Sequence, residues 1–219
     1  MILDELTMAG LHDYLEQTAL QKYASAGHLA IDLGAGTGAL ALRLKNLGLH
    51  VTAVGFEPET FQADVPFVVL DLNEPDFASV LGESKFDLVT SVEVIEHLES
   101  PISFLRNVRR LLKPTGVAVL TTPNVDNVPA RLKFFLSGRI RMMDDQGNKT
   151  HISPIFLDLL QDRLLPRAGM VIRERFVYPP EGFLLTRQTF AWIARSVASL
   201  LPGKAKLGDC HIFVLQSLG

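Results

Sequence analysis

Short apolar runs, separated by polar or glycine-marked turns, recur along the whole chain. The first, His28 to Leu33, has the length and character of a buried strand. Similar runs at His50 to Phe56, Val65 to Leu70, Phe86 to Ser91, Val117 to Thr121, Met170 to Tyr178 and Cys210 to Gln216 predict six more. Between them the apolar spacing is helical. Leu11, Leu15 and Leu20 predict a helix within Leu6 to Tyr23, and Ala39 to Leu47 predicts another, closed by Gly48. Ile102, Leu105, Val108, Leu111 and Leu112 share one face of a helix that starts at Pro101 with Ser100 as its cap. Ala130 to Leu136 reads as a short amphipathic helix, and Ser153-Pro154 as the opening of one that runs through Leu165. Strands alternating with helices predict an α/β fold with an open sheet.

Two segments break this rhythm. Residues 124–152 are long and irregular, a feature that points to function. Residues 179–208 intervene before the last strand, and from Phe183 to Leu201 they are strongly apolar, with only Arg187 and Arg195 charged. That stretch could pack within the molecule, meet a second copy in a homodimer, or lie on a membrane surface.

Length and charge narrow the options. A chain of 219 residues suffices for one well-buried domain. A net charge of −3 argues against a general nucleic-acid binder. The lone cysteine, Cys210, excludes a disulfide framework and a cysteine zinc cluster. With no basic leader ahead of an apolar core, and no uncharged run of ~20 residues, a cytoplasmic protein is expected.

The chemistry concentrates after the first strand, in Asp32-Leu33-Gly34-Ala35-Gly36-Thr37-Gly38. Glycines there let the backbone approach a ligand, and the following helix start offers free N–H groups. The spacing is not that of G-x-G-x-x-G, and no lysine follows as a P-loop demands. Glu57, directly after the second strand, is placed to accept hydrogen bonds from a ribose diol. Farther on, Glu93-Val94-Ile95-Glu96-His97-Leu98 follows the fourth strand, and Leu112-Lys113-Pro114-Thr115-Gly116-Val117 precedes the fifth.

Together these motifs resemble class I S-adenosylmethionine (SAM)-dependent methyltransferases, in particular the small-molecule, ubiquinone-biosynthesis-like group. The second glycine that usually follows Gly116 is replaced by Val117. The resemblance implies a doubly wound, Rossmann-like sheet of seven mostly parallel strands in the order 3-2-1-4-5-7-6, with 124–152 as an inserted lid. It implies that SAM is the cofactor, held by Asp32, Gly34, Ala35, Gly36 and Gly38 at its amino-acid end. Glu57 would hold the ribose, Asp71 and Leu72 the adenine, and Ser91 and Glu93 would lie near the sulfonium. The acceptor would be a small or lipid-like molecule methylated on O, N or C. A catalytically idle SAM-binding module of the same fold is the alternative.

Methyl transfer needs alignment, exclusion of water and sometimes a base. His97 and His151 are the two candidates for the base, since each falls at a strand end or on the lid. His12, His28, His50 and His211 are expected to be structural. Phe134, Phe135, Met142, Met143 and Trp192 suggest an apolar or aromatic acceptor. No metal is expected: Glu96 and His97 with Asp144 or Asp145 would be the nearest grouping, and it does not match the acidic pattern of the catechol methyltransferases.

Overall fold

The computed structural model describes residues 3–144, 149–186, 188–200 and 207–218. Its strands are β1 (Leu29–Leu33), β2 (His50–Gly55), β3 (Phe67–Val69), β4 (Phe86–Ser91), β5 (Leu112–Pro123), β6 (Met170–Tyr178) and β7 (Cys210–Ser217). They form one sheet in the order β3-β2-β1-β4-β5-β7-β6. The first five strands are parallel, and β7 runs antiparallel between β5 and β6. This is the expected seven-stranded order.

Successive side chains on a strand point to opposite faces, so a sheet buried on both sides needs apolar residues at nearly every position. Ala30, Leu88, Val119, Ile212 and Val214 face one core, which helices α1 (residues 11–23) and α2 (Ala39–Asn46) cover. Ile31, Leu33, Val89, Leu120, Phe213 and Leu215 face the other, under α3 (Phe77–Leu81), α4 (Pro101–Leu111) and α6 (residues 157–167). Phe77 and Phe104 meet there at 5.9 Å between ring centres.

Three of the boundaries that differ from expectation have a cause visible in the contacts. Helix α1 begins at Leu11, not Leu6. Gly10 precedes it at φ +79°, and a side chain there would meet the Tyr178 hydroxyl at 2.5 Å. Strand β5 begins at Leu112 rather than Val117. Leu112 and Val117 pair with Phe86 and Leu88, so residues 113–116 bulge from the ladder. Gly116 is needed at that bulge, because a Cβ would come within 2.7 Å of the Phe86 carbonyl oxygen. Helix α6 begins at Leu157, and Ser153 does not cap it. The Ser153 hydroxyl donates instead to the Leu98 carbonyl at 2.6 Å. The cap is remote: the Leu157 N–H donates to Asp126 Oδ2 at 2.9 Å.

The irregular segments form a small second layer. Helix α5 (Val128–Ser137) is capped by the Asn127 side chain, which accepts from the Ala130 N–H. It packs on α7 (Gln188–Leu200) through Val128, Phe183, Ala194 and Ala198. Arg141 ties this layer to the sheet by an ion pair of 2.7 Å with the fully buried Asp209. Asp209 Oδ2 also accepts from the N–H groups of Leu184 and Leu185. The apolar stretch therefore packs partly within the molecule, while Phe190 and Trp192 stay exposed; Arg187 and Leu201 lie outside the described residues. Among the described residues no helix is long and apolar enough to cross a membrane.

Candidate functional site

The chain crosses to opposite sides of the sheet after β1 and β4, and the diverging loops leave a crevice at their carboxyl ends. Its volume is about 720 Å³. Asp32, Gly34, Ala35, Gly36, Glu57, Asp71, Leu72, Glu93 and His97 all line it. Gly38, Ser91 and His151 do not.

The glycine turn is anchored from below, where the N–H groups of Gly34 and Ala35 both donate to the Val54 carbonyl at 2.9 Å. Gly34 sits at φ +76°, with Val94 Cγ2 only 2.4 Å from where a Cβ would stand. Gly38 serves packing: it precedes α2 at φ +87°, and a side chain would strike Ala63 and Phe61. From above, the N-terminal segment folds over the turn. The Thr37 hydroxyl donates to the Asp4 carbonyl at 2.6 Å, and Leu6 approaches Gly36. The segment also carries His12 to the crevice wall, where it lies 3.4 Å from Glu5. His12, expected to be purely structural, thus lines the crevice. Gly10 was the available signal, since it breaks the helix and lets the segment turn back.

Asp32 lies on the crevice floor, under the glycine turn. It is buried, and the Thr90 hydroxyl donates to its Oδ1 at 2.7 Å. Its Oδ2 has no hydrogen-bond partner. Burial pushes its carboxyl up to about 7, against the smaller opposing pulls of the Thr90 hydroxyl and the Ala41 N–H. An acceptor held dry and unpaired awaits a donor, such as an amine. Glu57 is exposed at the end of β2. Asp71 closes a turn, its Oδ1 accepting from the Asn73 N–H at 2.9 Å. Ser91 is buried beneath the rim. A buried acceptor under a glycine turn, with two acids along the adjoining strand ends, fits the donors of SAM.

The opposite end of the crevice is built from β4, β5 and residues 150–153. The Glu93 N–H donates to Thr121 Oγ1 at 2.9 Å, and the Thr121 hydroxyl and the Cys210 thiol face Glu93 Oε1. Glu96 is only 1% exposed. Its Oε2 accepts from the Thr122 hydroxyl at 3.1 Å, and its Oε1 has no hydrogen-bond partner. Burial raises both carboxyls, and the neighbouring Glu93 raises Glu96 further. The N–H groups of Ile152 and Ser153 both donate to the Glu96 carbonyl at 2.9 Å. This clamp lays His151 against His97, with ring centres 4.5 Å apart, edge to face. Nδ1 of His97 lies 2.9 Å from the Thr150 hydroxyl, and Nδ1 of His151 lies 2.9 Å from the Met142 carbonyl. Burial lowers both imidazoles below their ordinary value.

The aromatic and methionine residues expected to shape an acceptor pocket do not line this crevice. Phe134, Phe135 and Trp192 are exposed, and Met143 borders a separate cavity of about 450 Å³ beside His151. Asp144 is paired with Lys133 at 2.6 Å, and Asp145 lies outside the described residues.

Residues 11–174 match a family model described as a methyltransferase domain. The chain belongs to that methyltransferase family. This methyltransferase domain is 31% identical over 160 residues to a ubiquinone biosynthesis O-methyltransferase of Roseobacter denitrificans, covering 68% of this chain and 63% of that protein. It is 34% identical over 118 residues to the mitochondrial ubiquinone biosynthesis O-methyltransferase of Schizosaccharomyces pombe, covering 50% of this chain and 43% of that one. The match thus spans less than two thirds of either relative. In fold it is similar to a SAM-dependent methyltransferase from Archaeoglobus fulgidus, with TM-score 0.63 and 15% identity, over 94% of this chain and 92% of that one.

Proposed function

We propose that this chain uses SAM to methylate a hydroxyl oxygen of a small-molecule acceptor. The observation that carries the reading is the crevice at the strand ends, with the unpartnered, buried Asp32 Oδ2 beneath the glycine turn. The relatives, which are O-methyltransferases by name, favour oxygen over nitrogen or carbon.

When bound, SAM supplies a methyl carbon activated by a positive sulfur, with a neutral leaving group. Asp32 and the N–H groups of the Gly34–Gly38 turn would hold the amino-acid end, Glu57 the ribose diol, and Asp71 with the Leu72 N–H the adenine. Their work is alignment, which replaces a bimolecular encounter by a fixed approach. Leu6 and Thr7 wall the crevice on the glycine side, and Leu98 and Thr150 wall it on the other, limiting water. Ser91 and Glu93 sit toward the acceptor end, and His97 and His151 are the acceptor-side groups of this reading.

A single, buried cysteine suits a reducing compartment, in keeping with a cytoplasmic enzyme. The exposed apolar side chains of α5 and α7, Phe135 and Trp192 foremost, are where a membrane surface or a second copy would touch.

Calorimetry with S-adenosylhomocysteine tests the cofactor half. Absence of binding by the full chain overturns the proposal. Transfer of labelled methyl from SAM into the small-molecule fraction of an extract tests the other half. Binding without any transfer would favour the idle, ligand-binding alternative.

A further inference from the structure

We propose that residues 4–9 form a strap over the glycine-turn end of the crevice, latched by the Glu5–Arg43 ion pair. Its opening sets the rate at which the cofactor enters and the spent cofactor leaves. This inference deepens the methyltransferase reading above and rests on it.

The strap is fastened at both ends. At its start Leu3 is buried against Ala39 and Ala63, and the Asp4 carbonyl accepts from the Thr37 hydroxyl at 2.6 Å. At its end the Ala9 carbonyl accepts from the Tyr178 hydroxyl at 2.7 Å, and Gly10, at φ +79°, turns the chain into α1. One end is thus tied to the glycine turn and the other to the carboxyl end of β6. Leu6 and Thr7, between these ties, wall the crevice.

Two observations make the segment a gate rather than a fixed wall. The first is Leu6. Its Cδ1 lies 3.2 Å from where a Gly36 Cβ would stand, yet the residue is 70% exposed. An apolar side chain laid on the turn with most of its surface in water gains burial when a ligand fills the crevice beside it. The second is the latch. Arg43 on α2 reaches Glu5 at 2.7 Å, and also Asp13 at 2.7 Å and Glu16 at 3.1 Å on α1. Of these three acids only Glu5 belongs to the strap; it also stands 3.4 Å from Nδ1 of His12. Helix α1 is held independently, by the fully buried Leu11 and Leu15. The strap therefore lifts without unpacking the core.

Neither Glu5 nor Arg43 lines the crevice, so a bound ligand does not replace their contact. Weakening the pair destabilises the closed strap equally with the crevice empty or filled. Entry and release then quicken by the same factor, and affinity stays as it was. The two side chains are 23% and 30% exposed, which leaves the latch open to screening by salt.

The test is exchange of labelled S-adenosylhomocysteine on the full chain, with association and release followed by rapid mixing and affinity by calorimetry. Glu5→Gln should raise both rates about three- to fivefold, the worth of a partly exposed ion pair, with affinity kept within about twofold. Added salt should speed exchange in the parent and not in this variant. Leu6→Ser should quicken release and weaken affinity. Release of 5′-methylthioadenosine, a nucleoside without the amino-acid end, should respond to neither substitution. Lys45→Met breaks the pair that α2 makes with Asp64 outside the strap, and should leave every rate unchanged. Rates for S-adenosylhomocysteine that neither strap substitution alters overturn the gate and leave the methyltransferase reading standing. So does 5′-methylthioadenosine release that quickens by the same factor, or a Glu5→Gln variant that loses affinity with association unchanged. A parent chain that binds neither ligand overturns both.

Discussion

Asp32→Asn separates the cost of the buried acid from its use. In the ligand-free fold the carboxyl is raised from 3.8 to about 7, chiefly by burial. Below pH ~4 both folded and unfolded chains hold the proton, and the group costs nothing. Between 4 and 7 the folded state binds the extra proton, so stability falls as pH rises; above 7 the full penalty applies. At about 1.4 kcal/mol per tenfold change in acidity, that penalty is about 2 kcal/mol at pH 5 and about 4 kcal/mol at pH 8. Asparagine keeps an oxygen for the Thr90 hydroxyl but places an amide where Oδ2 stood unpartnered, a cost that does not vary with pH. The readout is therefore a slope. Urea unfolding should show the stability of the variant, relative to the parent, rising by about 2–3 kcal/mol from pH 5 to pH 8. Ligand affinity should move the other way. An amine beside Asp32 requires the ionised carboxylate, so S-adenosylhomocysteine should bind the parent about tenfold more weakly per pH unit below 7. The variant should bind weakly at every pH. A relative stability that does not change with pH, together with pH-independent binding by the parent, would refute the assignment.

Other substitutions probe single contacts. Glu57→Ala, at an exposed position, should leave the melting temperature unchanged and weaken S-adenosylhomocysteine by about 1.5–3 kcal/mol, which calorimetry reads as roughly 10–100-fold. Gly34→Ala should destabilise the fold by at least about 2 kcal/mol in urea unfolding, because φ +76° and the 2.4 Å approach of Val94 Cγ2 leave no room. Arg141→Met strands the buried Asp209 carboxylate and should cost about 3–5 kcal/mol, with faster proteolysis near residues 183–186 as the local sign. Phe135→Ser combined with Trp192→Ser should alter stability by less than about 0.5 kcal/mol, while reducing any vesicle binding or self-association seen for the parent.

Much of the fold could be read from periodicity because its determinants are local. Seven apolar runs became seven strands, and the resemblance supplied their order. The misplaced boundaries have distant causes. The start of α1 depends on Tyr178 standing against Gly10, and the cap of α6 comes from Asp126, 31 residues upstream. Neither signal exists in the window where a helix start is read. The same divide holds for the crevice. Residues at or just past a strand's carboxyl end, Asp32 and Glu57 among them, could be placed from their positions alone, whereas His12 reaches the wall only because the N-terminal segment folds back over the glycine turn.

The histidines carry this logic to its last step. Read singly, His97 and His151 look like competing candidates for one base, since spacing says nothing about whether residues 54 positions apart meet. The backbone decides it. Two N–H groups on the Glu96 carbonyl bring residue 151 beside residue 97, and the Glu96 carboxyl comes to 4.0 Å from the His151 ring. Sequence reasoning expected no metal and named Asp144 and Asp145 as the nearest acids to group with Glu96 and His97. Lys133 already pairs with the first of these, and the group that the fold places beside Glu96 is the His151 imidazole.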